Sequence, residues 1–239
     1  MVTEQGHYAQ AKALLDESRA ISQALGDQAR VAWATLHQAR LLFLSQREPE
    51  QAQRLAEQSL AQFEAQGIGW MRAWDLSLLG HMHLARGEWA LARAKLEESA
   101  VYLQETGNRC DSCEPLLGLA RAALGQQELA EARRRAQESL RIQVALGSQA
   151  LLPACLEVVG MLLAAEGKAR EAALHWGRAE ALREELGAPR HPVKRADYEQ
   201  AVAAARRELG EEAFATAWAK GRTTPVEQVI ASVLQMEET

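Results

Sequence analysis

The stretch Leu79-Gly80-His81-Met82-His83-Leu84-Ala85-Arg86-Gly87-Glu88-Trp89-Ala90-Leu91-Ala92-Arg93-Ala94-Lys95-Leu96-Glu97-Glu98-Ser99 decides the fold. It reads as the end of one helix, a turn at Gly87-Glu88 and the start of a second helix. Its landmarks recur along the chain. Gly67, Gly107, Gly147 and Gly187 stand 40 residues apart. Gly26 precedes Gly67 by 41, because Ser45-Gln46-Arg47-Glu48-Pro49 holds one extra residue. Ala11, Ala52, Ala92, Ala132 and Ala172 keep the same step, as do Ser18, Ser59, Ser99 and Ser139, with Ala179 closing that column. Such a period specifies a stacked array in which no unit can bury its apolar face alone. An array of this kind offers a long surface and no built-in chemistry.

Each block is expected to hold two helices. In the block quoted above, the first covers Trp70 to Arg86 and the second Trp89 to Thr106, ending at Gly107. Gly suits the left-handed position after a helix, and Asp27, Asn108 and Ser148, just beyond such glycines, are expected N-caps. Leu91, Ala94, Leu96, Ala100 and Leu103 recur near the helical period and predict a buried face. Ala39, Gly80, Ala120 and Gly160 fall where the first helix should approach the alanine column of the second. Small side chains there allow short-range packing, which a larger residue would push apart.

Leu79-Gly80, His83, Gly87-Glu88-Trp89, Ala92, Leu96 and Ser99 resemble the tetratricopeptide-repeat pattern of Leu-Gly, aromatic, Gly-Asp-Tyr, Ala, aromatic, Ala. Within the motif the spacings match, but the helices are longer than in the common repeat. That variant is similar to the repeat region of large bacterial signalling ATPases and LuxR-type regulators, including the maltose-regulator type. The resemblance runs from Gly6 to Gly187. The segment Tyr198-Glu199 through Leu209-Gly210-Glu211-Glu212-Ala213-Phe214, Ala217-Trp218 and Gly221 is similar to the end of such regions. Arg47 and Gln127 depart from it by replacing the turn glycine, and His83, Ala123 and Leu163 by replacing the aromatic. The resemblance implies an all-α, right-handed α-solenoid of helical hairpins with a C-terminal helical cap, and a sensor domain of a larger regulator. It brings no ATPase or DNA-binding motif with it.

The expected organisation is therefore a repeat array over residues 1–188 and capping helices over 189–239. Gly6-His7-Tyr8 and Ala11 match the start of a second helix with no first helix before it. The chain then reads as a piece of a longer protein, whose uncovered end could self-associate. Pro189 and Pro192 stop the last repeat. Helices follow at Lys194–Leu209, Glu211–Lys220 and Pro225–Met236, with Thr224-Pro225-Val226-Glu227 read as a capping box.

Composition excludes several functions. A net charge of -5 gives no electrostatic reason to bind nucleic acid. The run Arg133-Arg134-Arg135 is flanked by Glu131 and Glu138 and reads as a solvated helix face. The most apolar stretch, Leu151 to Ala165, contains Pro153 and Glu157 and is too short for a membrane span. No secretory signal opens the chain, and three cysteines make no disulfide framework, so a cytoplasmic protein is expected.

Cys110-Asp111-Ser112-Cys113 has the spacing of a redox or metal pair. It lacks a second pair and any strand context. His81 and His83 fall about 12 Å away along a helix, far beyond shared ligation. The expected reading is two small half-buried thiols, with no metal and no cofactor. Gly160 to Gly167-Lys168 has the wrong spacing for a phosphate loop. His7, His37, His81, His83, His175 and His191 show no partner for nucleophilic catalysis. An enzyme is not expected.

A binding surface is the better candidate. In tetratricopeptide arrays the first helices line the inner face, so inward residues should recur at steps of four, three and four. That stripe is Ala29, Trp33, Leu36, Arg40 and Phe43; Trp70, Trp74, Ser77 and His81; Cys110, Glu114, Leu117 and Arg121; and Ala150, Ala154, Glu157 and Met161. From it, Trp33, Arg40, Phe43, Trp70, Trp74, His81, Glu114, Arg121 and Glu157 form the candidate site for a protein or peptide. The tryptophans could equally pack neighbouring hairpins. Trp89 and Trp176 are expected in the hairpin core. A groove sensing a small apolar ligand is the alternative function, and a thiol or metal role at Cys110 and Cys113 a third.

Overall fold

The structure, a computed structural model, describes residues 7–236. Every regular element among the described residues is helical, and most helices pack against the next one in the chain within the same compact unit. The chain divides into two compact units. The first runs to Gly107 and also takes in Ala188–Lys194; the second holds Asn108–Gly187 and the residues from Arg195 onward.

In the first unit lie α1 (Tyr8–Ala24), α2 (Gln28–Leu44), α3 (Pro49–Gln66), α4 (Gly69–Ala85) and α5 (Trp89–Glu105). In the second lie α6 (Arg109–Gly125), α7 (Leu129–Ala145), α8 (Leu152–Ala165) and α9 (Ala169–Leu186), then α10 (Arg195–Leu209), α11 (Glu211–Thr223) and α12 (Val226–Leu234). The closely packed hairpins are α2 with α3, α4 with α5, α6 with α7 and α8 with α9, as the repeat requires, and α9 with α11 is packed as closely. Gly6 of the first motif lies outside the described residues.

Hairpin packing follows from side-chain size. A methyl group on Gly80 would stand 2.5 Å from Leu96 Cγ and 3.3 Å from the Ala92 carbonyl oxygen. On Gly160 it would collide with the Trp176 indole. Leu96, Ala136 and Trp176 are one repeat apart, and so are Gly80, Ala120 and Gly160. Glycine therefore faces the large partners, whereas Ala120 and Ala136 share one core and Ala39 and Ala56 another. The contact keeps its volume while its residues change, as a close-packed interior demands.

Several local expectations are corrected. The buried face of α5 is Ala92, Leu96, Ser99, Ala100 and Leu103; Leu91 is 55 % exposed and Ala94 is exposed too. Steps of four, three and four keep one helical stripe, and Leu91 and Ala94 fall on its flanks. Trp89, expected in the core, is half-buried and rests its ring about 3.6 Å from where a Gly87 side chain would begin. Asp27 caps α2 by accepting from the Arg30 amide at 3.0 Å, and Asn108 holds its N-cap place without a side-chain cap bond. Ser148 is no cap. Pro153 lacks an N–H and sits in the first turn, where none is needed, so α8 starts at Leu152. The Thr224 hydroxyl donates to the Lys220 carbonyl at 2.8 Å, so it closes α11 and makes no capping box for α12.

The end of the chain is built by two glycines. α11 lies along α9, where a methyl on Gly177 would strike the Trp218 carbonyl and one on Gly221 the Leu174 carbonyl. Two bare Cα atoms let the helix backbones touch. α12 packs on α7, whose Gln137 Nε2 donates to the carbonyls of Val233 at 2.9 Å and Met236 at 3.0 Å. The two bonds tie the end of α12 to α7.

Candidate binding site

In the first unit the structure draws Trp33, Trp70 and Trp74 into one aromatic string. Each helix supplies residues one turn apart: Trp33 and His37 on α2, Trp70 and Trp74 on α4. The Trp33 and His37 ring centroids are 4.1 Å apart. His37 meets Trp74 edge-on at 6.2 Å, and Trp74 meets Trp70 edge-on at 5.8 Å. His37, read from sequence only as lacking a catalytic partner, thus links the tryptophans of two repeats. Its position four residues after Trp33 was the available signal. Trp33 and Trp74 are half-buried against the core, whereas Trp70 is 43 % exposed.

A cavity of about 490 Å³ opens beside this string. Ala29, Trp33, Phe63, Ile68, Trp70 and Met71 give it apolar walls, with Arg30 and Ser18 as its polar groups. It exists because Ala29 and Trp70 occupy equivalent places 41 residues apart. Where α4 carries an indole, α2 carries a methyl group, and Trp70 stands over the space left empty. Sequence reading placed both residues on the stripe but could not show that the small one leaves a hollow.

The rest of the stripe behaves differently. Phe43 packs half-buried against the core of the first unit, Arg40 is half-buried on α2, and His81 is only 6 % exposed. The segment Ala188–Lys194, read from sequence only as a helix break, belongs to this unit. Its turn Pro192–Lys194 packs on α2, and His191 Nδ1 is hydrogen-bonded to Tyr8 Oη at 2.8 Å.

In the second unit the charged stripe residues Arg121 and Glu157 are engaged within the protein. Arg121 Nη2 donates to Asp197 at 2.7 Å. Glu157 accepts from Arg183 Nε at 2.6 Å and Nη2 at 3.0 Å, a two-pronged pair with little solvent contact. Removing one member of such a pair strands the other charge, so Glu157 has a structural role. Glu114 is half-buried on α6. The chemistry suited to an outside ligand is therefore concentrated in the first unit.

Two of the three cysteines are small core residues. Cys110 is exposed, and Cys113 and Cys155 are buried. Burial pushes the Cys113 thiol up to about 11 and the Cys155 thiol up to about 12, which keeps both protonated and poorly nucleophilic. The Cys113 thiol donates weakly to the Ser139 carbonyl, 3.7 Å away. Among the described residues no group of three His, Cys, Asp or Glu is placed to hold a metal ion. None of the described helices is long and apolar enough to cross a membrane.

Compared with known proteins, the chain matches no family model and no curated protein. The class rests on the structure itself: a helical-repeat protein, all-α in its described residues, with an aromatic string and an adjoining cavity between two of its repeats.

Proposed function

We propose that this chain is a non-catalytic recognition module that binds a protein or peptide, as the sensor or interaction part of a larger bacterial signalling or transcription regulator. In this reading the hairpins form a right-handed solenoid of tetratricopeptide type whose first helices line the inner face. The observation that carries it is the string Trp33–His37–Trp74–Trp70, with its exposed end at Trp70. Indoles offer a large rigid contact area at small entropic cost, and they dominate binding hot spots. The spacing of the Leu-Gly and Gly-Glu-Trp landmarks supports the regulator assignment.

The test is a peptide selection against the purified chain, followed by calorimetric titration of the selected binder. Trp70→Ala and Trp74→Ala should each weaken binding by more than about 2 kcal/mol, about thirtyfold. A binder whose affinity neither substitution changes would sink the assignment of this face. A parent gene encoding neither a nucleotide-binding domain nor a helix-turn-helix would sink the regulator part.

A further inference from the structure

The cavity beside Trp70 has more chemistry than a hydrophobic anchor requires, and the geometry points to a specific ligand class: a planar aromatic ring carrying a single carboxylate. This goes beyond partner binding, because it holds whether or not a protein docks on the helices. At about 490 Å³ the space lies within the range of small-molecule sites. Trp33 and Trp70 supply flat apolar walls, Ile68 and Met71 fill between them, and the fully buried Phe63 backs the hollow from the core. Rings stack against such walls in offset or edge-to-face contact.

The polar end is set by Arg30 and Ser18. Asp27 accepts from the Arg30 backbone amide at 3.0 Å and pairs with Arg30 Nε at 3.2 Å. Both carboxylate oxygens are thus committed to one residue, and they hold its side chain by the Nε edge. The two Nη groups remain, and a guanidinium presents them as a fork that fits a carboxylate.

Ser18 belongs to the serine column, but it is used differently from its equivalents. The Ser59 hydroxyl donates to Asp75, Ser99 to the Ala73 carbonyl and Ser139 to the Cys113 carbonyl. Ser18 lines the cavity, and its hydroxyl is available as a donor there. A second hollow of about 280 Å³ shares Ser18 and Arg30 and adds Glu17. That carboxylate disfavours a further negative charge, so a monoanion fits better than a dianion. An aromatic acid places its ring between the indoles and its carboxylate on Arg30 and Ser18. A free acid and the C-terminal aromatic residue of a peptide share this chemistry.

The experiment titrates the full chain by calorimetry with naphthylacetate and with its neutral isostere naphthylacetamide. The acid should bind saturably, about fivefold or more tighter than the amide. Arg30→Gln, an exposed change that leaves the fold intact, should remove the difference between the two probes. Ala29→Trp places in α2 the residue that α4 already carries at the equivalent position. It should fill the hollow and weaken both probes by about tenfold or more, with helix content by circular dichroism confirming that the variant folds. A peptide ending in Trp with a free carboxylate, compared with its amidated form, identifies the source: displacement of the acid points to a chain end, and no displacement to a free acid. The inference is overturned if the acid fails to bind at millimolar concentration, if acid and amide bind alike, or if Arg30→Gln leaves their difference unchanged. A failed peptide selection leaves this result standing, and a failed titration leaves the partner reading standing.

Discussion

Gln127 has φ 62°, in the left-handed region that Gly87 and Gly167 occupy at the equivalent turns with φ 72° and 75°. A side chain there costs about 1 kcal/mol that glycine avoids. Gln127→Gly should therefore stabilise the protein by about 0.5–1 kcal/mol after the added freedom of the unfolded chain is counted, read as a higher urea midpoint. In the loop with the extra residue, Gln46 and Glu48 take positive φ, and Arg47, which the motif alignment placed at the glycine, does not. Asp75 makes a second residue-scale prediction. Its Oδ1 accepts from Ser59 at 2.7 Å, its Oδ2 has no partner, and burial pushes the carboxyl up to about 8. The folded state then keeps a proton that the unfolded state releases near pH 4, so the stability that Asp75 contributes is fully present below about pH 4 and is lost as pH rises toward about 8. Asp75→Asn removes this titration. Its urea midpoint should exceed wild type at about pH 8.5 and match it closely at about pH 4.5. Equal pH slopes for the two proteins would show that Asp75 does not keep its proton.

At the scale of helices, the pairing of Gly80 with Leu96 and of Gly160 with Trp176 predicts compensation. Ala136→Leu should destabilise by about 1–3 kcal/mol, because Ala120 leaves no room for it. Adding Ala120→Gly should recover a large part of that loss, which a double-mutant cycle measures as a coupling between the two positions. Additive effects would show that the two residues do not share the contact. Gly177→Ala should be at least as damaging as Gly80→Leu, since its methyl would meet the rigid backbone of α11. The helix boundaries were legible because capping, turn glycines and apolar spacing are local signals: α4 and α5 begin and end within a residue of their expected places. What failed was set by tertiary packing. Leu91 satisfied a loose helical period but lies on a flank, and Ser148 looked like a cap until Pro153 delayed the helix. Gly177 and Gly221 carried no turn signal, so their role appears only when α11 lies against α9. In the candidate site, Trp33, Trp70 and Trp74 could be read from a stripe. His37, the hollow at Ala29 and the commitment of Glu157 to Arg183 depend on distances that no spacing rule gives.

For the molecule as a whole, stability and recognition should reside in different tryptophans, and this can be measured. In a repeat protein each hairpin contributes its own packing plus its contacts with its neighbours, so a core truncation is felt through the unit that contains it. Trp176 has no solvent exposure, donates its Nε1 hydrogen to the Glu157 carbonyl at 3.1 Å and stands edge-on to Tyr198 at 6.0 Å. Trp176→Ala should cost about 3–5 kcal/mol, as large aromatic truncations in cores do. Trp89 is half-buried beside a turn, so its removal leaves no comparable cavity and should cost clearly less. Trp74 is half-buried and keeps one ring on His37 and another on Trp70. Its loss removes two aromatic contacts worth about 0.5–1.5 kcal/mol each, a smaller effect on folding than that of Trp176. In binding the order should reverse. Trp74→Ala should lose more than about 2 kcal/mol of affinity for a selected peptide. A control away from the string, Gln127→Gly, should bind like wild type. Urea unfolding and calorimetry on the same preparations separate the two effects, because a packing residue fails in the first assay and a binding anchor in the second. If Trp74→Ala unfolds the protein as severely as Trp176→Ala while affinity for the peptide holds, the aromatic string is core packing, and recognition has to be sought on another face.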